Sequence, residues 1–458
     1  MRGRRLMARR SGRVRAVLRR VPLACLLLLI AGTLTASARL YTRRVQESTR
    51  ANVTASSALP AAYGEEAPLP ARFSAELTYT SLDAPGSGEA STSVTWDDSW
   101  FTGDEHVYNH ELARASSVLA ALAYSESGYY QSGSNQPAYM EEALAQLGFD
   151  EVCTDSYRFR SEVLDEVLNL VTDDADGVAY TIARKRLALS GGDGQEGSPR
   201  DVILVSIRGS YGSEWLSNLD LATDETSDHG GYCRAAREIC GEVAAWADES
   251  AGDGAEVSVL LVGHSRGGAI ANLAAAEIDD CRAGTVTSSV AGADSLAGID
   301  RVYAYTFASP ATTLNAQAHD ARYANIFNIA NPSDIMPYLP LRTWGYERYG
   351  IDKALPAVDA EGFDELRTAM ERLYEQSVGV ACGADPSDKH VVDAVLTDVA
   401  QGIGSVEELV TPRGACAVFA SVAARVDPVR MLYSHYPSTY IAWMNAIDED
   451  DLTESGAV

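Results

Sequence analysis

Val257-Ser258-Val259-Leu260-Leu261-Val262-Gly263-His264-Ser265-Arg266-Gly267-Gly268-Ala269-Ile270-Ala271-Asn272 is the stretch from which the rest of the chain is best read. The run Val257, Val259, Leu260, Leu261 and Val262 is apolar and rich in β-branched residues, which suits a strand buried on both faces. Gly263-His264-Ser265-Arg266-Gly267 follows, and then small residues that begin a helix. Strand, G-x-S-x-G and helix together predict a nucleophile elbow with Ser265 at its tip. Gly263 and Gly267 are needed there because a Cβ at either place strikes the neighbouring backbone. The turn also puts Ser265 at a helix N-terminus, where backbone N–H groups receive developing negative charge.

Working outward, Phe73, Ala75, Leu77 and Tyr79 alternate with polar residues, and a turn at 84–88 leads to Val94 and Trp96, predicting a hairpin. Helical spacing runs from Glu111 to Tyr124 and from Met140 to Leu147. Strands are predicted at Val178–Ala188, Asp201–Ile207, Val302–Phe307 and Tyr323–Ile329, with a helix over Tyr232–Ala247. Strands alternating with helices across 200–330 predict an α/β fold with a mostly parallel central sheet covered on both faces.

A serine becomes a nucleophile when a base takes its proton and a carboxylate fixes the base. In an α/β-hydrolase arrangement the acid follows the serine and the histidine comes last. Of the seven histidines, His390 and His435 qualify by order. Asp388-Lys389-His390 has the charged setting of a solvated helix face, so chain order and setting favour His435. Asp334, in Asn331-Pro332-Ser333-Asp334, follows a strand as a βα-loop carboxylate should. An aspartate after Asn-Pro is also a common turn residue, and Asp294 and Asp300 are the alternatives. The residue after the nucleophile, Arg266, supplies one backbone donor to an oxyanion. The second donor is expected just past the strand ending at Ile207, in Arg208-Gly209-Ser210.

Several stretches resemble the fungal-lipase-like, class 3 lipase family of the α/β-hydrolase superfamily. They are Arg208-Gly209-Ser210 with Trp215-Leu216 and Asn218-Leu219-Asp220; the elbow itself; Thr306-Phe307-Ala308-Ser309-Pro310; Asn331 through Asp334 to Pro340; and Ser434-His435-Tyr436. The resemblance implies a triad of Ser265, Asp334 and His435, oxyanion donors at Ser210 and Arg266, and carboxylic ester substrates, commonly acylglycerols. A phospholipase or another acyl hydrolase on the same fold is the alternative, and a catalytically inactive binding module a further one. The family usually has leucine at the place of Arg266 and glycine at that of Ala308. Between Asp334 and His435 the spacing of Phe363, Leu366, Met370 and Leu373, and of Val392, Val395, Leu396 and Val399, predicts a helical insertion at about 352–428. It reads equally as a lid over the site or as a peripheral bundle.

Residues 1–38 hold nine arginines and no acid, ending in an uncharged run with Ala36-Ser37-Ala38. This predicts an export signal or a short membrane anchor, the latter holding the protein to a membrane if uncleaved. Residues 39–71 read as a linker, and 72–458 as the hydrolase domain with an N-terminal extension. The chain's net charge of −27, despite that basic leader, excludes nucleic acid as a partner. No cysteine spacing suits a metal, and no cofactor motif is present. The implied partner is a lipid or small ester substrate. Cys233 and Cys240 are too far apart along one helix to bridge, whereas Cys382 and Cys416 are expected to close the insertion with a disulfide.

Overall fold

The computed structural model describes residues 72–84, 88–131, 137–159, 178–187, 199–209, 230–285, 292–405, 408, 412–425 and 428–454, all within the unit Gly64–Val458. The alternating N-terminal pattern gives the expected hairpin, β1 (Arg72–Thr80) antiparallel to β2 (Glu89–Asp97). Helix α1 (His110–Gln131) runs on past Tyr124. It is buried around most of its circumference, so polar residues such as Ser116 and Glu126 lie inside with Leu112 and Leu119. Helix α2 (Tyr139–Gln146) and β3 (Glu151–Cys153) follow, then β4 (Tyr180–Leu187) and β5 (Arg200–Ile207).

The middle of the chain alternates as predicted: α3 (Gly230–Gly252), β6 (Glu256–His264), α4 (Arg266–Arg282), a short α5 (Ala293–Ala297) and β7 (Arg301–Phe307). Next come β8 (Ile326–Ala330) and β9 (Ile351–Ala354). The strand expected from Tyr323 starts only at Ile326. Tyr323 itself sits in a 3-10 turn, where its hydroxyl donates to Asp280 at 2.8 Å and its ring packs edge-on to Tyr349. Helices α6 (Phe363–Val378), α7 (Asp388–Gly402), α8 (Pro412–Ala423), α9 (Pro428–His435) and α10 (Pro437–Ala446) precede a last strand, β10 (Thr453–Glu454).

Eight strands form one sheet in the order β10-β9-β8-β7-β6-β5-β4-β3. It is parallel from β5 to β9 and antiparallel at both edges. Period-2 alternation explains the continuous apolar runs. Leu260, Val262, Tyr305 and Phe307 face a core shared with the hairpin, α1, α6 and α10, while Val259, Leu261, Val302 and Ala304 face one shared with α3 and α4. Val259, Leu260, Leu261 and Val262 are fully buried, and each such side chain contributes about 1.5–3 kcal/mol relative to exposure. The result is an α/β-hydrolase sheet with its elbow on the central strand.

The helical segment begins after Ala354 rather than at 352, because Ile351–Ala354 pairs in parallel with β8 as part of the sheet. Its helices pack in two different places. Phe363, Met370, Tyr374 and Val378 of α6 belong to the main core. Val392, Val395 and Val399 of α7 and Val422 of α8 pack instead against Ile335, Met336, Leu339 and Leu341 in the loop after β8. Cys233 and Cys240 are both buried and not bridged to each other, and Cys382 is a free thiol rather than half of a bridge. Burial pushes Cys382 up to about 11; the side chain of Cys416 lies outside the described residues. The leader at 1–38 and the linker at 39–71 lie outside them too. Among the described residues no helix is long and apolar enough to cross a membrane.

Candidate active site

Ser265 sits between β6 and α4 with φ 57 and ψ −128, in the left-handed region that costs an L-residue roughly 1–2 kcal/mol. Packing maintains it. A Cβ on Gly263 would come within 2.2 Å of the Gly267 carbonyl oxygen, and one on Gly267 within 2.1 Å of the Ile207 carbonyl oxygen. The backbone is tied down as well, with Ser265 N donating to Phe307 O at 2.9 Å and Ala269 N to Ser265 O at 3.1 Å. Among the described residues Ala308 is the other non-glycine residue with positive φ, at 53. That conformation accounts physically for glycine being usual at this place in the family.

Around Ser265 the fold gathers residues far apart in sequence. His435, the last residue of α9, points Nε2 at Ser265 Oγ across 3.0 Å and Nδ1 at Asp334 Oδ2 across 2.8 Å. The Asp334 side chain is 1% exposed and that of His435 12%, so the carboxylate is sealed and the imidazole is open on one side. Asp334 Oδ1 accepts from Met336 N at 3.0 Å. Oδ2 accepts a second bond, from the Tyr440 hydroxyl at 2.9 Å, and that hydroxyl in turn accepts from Asn331 N at 3.0 Å. Burial, and then the Asp334 charge, hold Tyr440 well above the ordinary tyrosine range, so it remains a donor. Asn331 Nδ2 also donates to Ser434 O at 2.9 Å, anchoring the residue before His435.

The other candidates separate cleanly. His390 is exposed on α7. Asp294 is exposed on α5, and Asp300 accepts from Val257 N at 2.8 Å, at the edge of the sheet opposite the elbow. Arg266 begins α4, so its amide is one of the N-terminal donors that the helix leaves unused. Ser210 lies outside the described residues. Gly209, just before it, lies against Ser265, since a Cβ there would be 3.2 Å from that of the serine. His264 fills the elbow position beside the serine with its ring inside the protein, 2% exposed. Its Nδ1 accepts from the Tyr124 hydroxyl at 2.9 Å and its Nε2 donates to His435 O at 2.8 Å. Sequence reasoning missed Tyr440 and Tyr124. Tyr124 ends a predicted helix, where a tyrosine reads as packing, and no pattern marks Tyr440. Asn331 stands inside a quoted motif with no role of its own.

Chemically, this is a hydroxyl with an imidazole in reach and a buried carboxylate behind it, at the head of a helix. Such a set can pass a proton from oxygen to nitrogen and steady the cation formed.

A family model described as lipase (class 3) matches residues 204–344. No curated protein matches the chain. Among solved structures, the chain is similar to a Rhizomucor miehei lipase propeptide complex at 22% identity, over 39% of this chain and 53% of that one, TM-score 0.28. It is also similar to a lipase from Rhizopus microsporus var. chinensis (17% identity, 61% and 82% covered, TM-score 0.33). A third is the mono- and diacylglycerol lipase from Aspergillus oryzae (22% identity, 43% and 70% covered, TM-score 0.27). The chain spans about half the length of the first of these. Residues 204–344 carry the pattern of the class 3 lipase family, and the sheet that holds them is that of an α/β-hydrolase.

Proposed function

We propose that the protein is a serine hydrolase that cleaves carboxylic esters of lipids, acylglycerols in the first place. The observation that carries this reading is the line from Ser265 Oγ through His435 to Asp334, at 3.0 and 2.8 Å, at the tip of a strand–helix elbow. In the proposed reaction Ser265 Oγ bonds to the ester carbonyl carbon while its proton passes to His435 Nε2. The oxyanion is held by the amide of Arg266 and by Ser210. The carbon–oxygen bond to the alcohol then breaks, and His435 returns the proton to the leaving oxygen. Water, deprotonated by the same imidazole, frees the acid and restores the serine. Asp334 fixes the Nδ1–H tautomer and stays ionised.

Nitrophenyl esters from acetate to palmitate, assayed beside a phospholipid and a triacylglycerol, test the substrate. Turnover rising with chain length and persisting on triacylglycerol is expected. Cleavage of the phospholipid alone would shift the reading to the phospholipase alternative, which the guanidinium of Arg266 next to the nucleophile favours. Absence of hydrolysis together with failure of Ser265 to react with a fluorophosphonate would leave only a binding module.

The same reading has the protein exported, since nine arginines, an apolar run and Ala36-Ser37-Ala38 form its leader. A mature chain beginning near Arg39 in the medium, or an intact one in the membrane fraction, is expected. Full-length protein in the cytosol would overturn it.

A further inference from the structure

We propose that Tyr124 and His264 form a relay that positions His435, so that the residue preceding the nucleophile acts on the base. The inference rests on the hydrolase reading above and names two residues that reading does not use. His435 ends α9, and the last carbonyls of a helix have no donor within it. Three side chains fill the gap at this end: Thr439 Oγ1 on Tyr433 O at 2.6 Å, Asn331 Nδ2 on Ser434 O at 2.9 Å and His264 Nε2 on His435 O at 2.8 Å. The carbonyl oxygen only accepts, so Nε2 of His264 carries the proton and Nδ1 is the lone-pair nitrogen. The Tyr124 hydroxyl, 2.9 Å from Nδ1, must therefore be the donor there. One tautomer satisfies every partner.

The surroundings keep it so. His264 is 2% exposed, and burial, then the neighbouring His435, hold it well below the ordinary histidine range. Its ring lies 4.8 Å from that of His435 and 5.6 Å from that of Tyr440, which donates to Asp334. A neutral donor is what this place requires, because His435 becomes a cation when it takes the serine proton and a second charge beside it would oppose the step. Tyr124 comes from α1, in the N-terminal extension, and its hydroxyl also occupies the space a Cβ on Gly209 would need, 2.2 Å away. Hairpin-side helix, elbow and base are thus joined through one imidazole. His264 and Tyr124 are positioning residues; neither touches the reacting atoms.

The test uses the full chain with nitrophenyl butyrate, a fluorophosphonate probe and thermal melting. His264→Leu is expected to lower kcat about 10²-fold with KM within about threefold, the effect of a base misplaced by about 1 Å. Labelling of Ser265 should slow in parallel. His264→Gln, whose amide nitrogen can donate to the His435 carbonyl, should restore kcat to within about tenfold of the parent, a partial recovery of one hydrogen bond. Tyr124→Phe should cost about tenfold alone and almost nothing on top of His264→Leu, as expected for residues acting in series. A folded His264→Leu with the parent's kcat overturns the relay, as does a glutamine variant that melts normally but is no better than leucine. Additive losses in the double variant also overturn it. Should the leucine variant fail to fold, His264→Gln and Tyr124→Phe decide: parental kcat in both overturns the relay, and reduced kcat with unchanged KM supports it. A parent enzyme that neither hydrolyses the ester nor labels at Ser265 defeats the hydrolase reading instead, and is a separate outcome.

Discussion

Ser265→Ala and His435→Ala are each expected to lower kcat by roughly 10⁵ to 10⁶, and the double variant by little more, because nucleophile and base act as one unit. The geometry behind the number is the single proton path of 3.0 Å between Oγ and Nε2. Remove either end and the other has nothing to do. Asp334→Asn should cost about 10⁴, since the amide presents an N–H to Nδ1 and turns the imidazole to the wrong tautomer. His390→Ala serves as the matched control: an exposed residue on α7, its loss should leave kcat unchanged. Steady-state kinetics on a short nitrophenyl ester, with folding checked by circular dichroism, measures all five. An essential His390 beside a dispensable His435 would end the assignment of the base.

Glu126→Gln is expected to stabilise the protein at neutral and alkaline pH. Glu126 lies on α1 with no exposed surface, and Thr154 and the Met140 backbone give its carboxyl group only weak support against that burial. Burial, and then the charge of Glu141, push it from 4.5 up to about 8. The folded protein therefore holds a proton that the unfolded chain releases near pH 4.5. The stabilising contribution is complete below that pH and is lost as pH rises toward 8, at about 1.4 kcal/mol per unit while only the unfolded state is ionised. Over the full window the parent loses up to about 5 kcal/mol that a neutral glutamine does not. Denaturant midpoints at pH 5 and pH 8 should converge at the acid end and separate at the alkaline end. Parallel curves for parent and variant would refute the account.

How much was legible beforehand depended on the range of the information. The elbow is local: five residues, a strand before and a helix after, and the backbone at Ser265 follows from what those glycines permit. Asp334 and His435 were paired by chain order although 101 positions separate them, and the fold brings them within 2.8 Å of each other. What stayed hidden is contact between patterns that look ordinary alone. Tyr440 lies in a helix with nothing to mark it until Asp334 is placed beneath it. Glu126 lies past the predicted helix Glu111–Tyr124, and only its placing beside Met140 of α2 and Thr154 shows it to be dry. The left-handed backbone of Ala308 could not be seen, although the family's glycine there hinted at it. The short strand β9 was lost because four residues, Ile351 to Ala354, carry too little periodicity to stand out from a helical insertion.

The helix after the base has one more consequence. Ser438, at the start of α10, lies 3.0 Å from Ser81 Oγ in the hairpin turn. At its other end Arg114 donates to Met444 O and Ile447 O, 330 and 333 residues further along the chain. Closing so long a loop is entropically slow and comes after local structure has formed. During synthesis the elbow and its sheet can therefore assemble while the base is still absent, and residues 428–447 complete the site only when they dock on a helix made hundreds of residues earlier. A growing chain has its nucleophile in place but no means of activating it. For a protein read as attacking lipid esters, that order of assembly keeps the cell's own membranes out of reach until residues 428–447 have been made and docked.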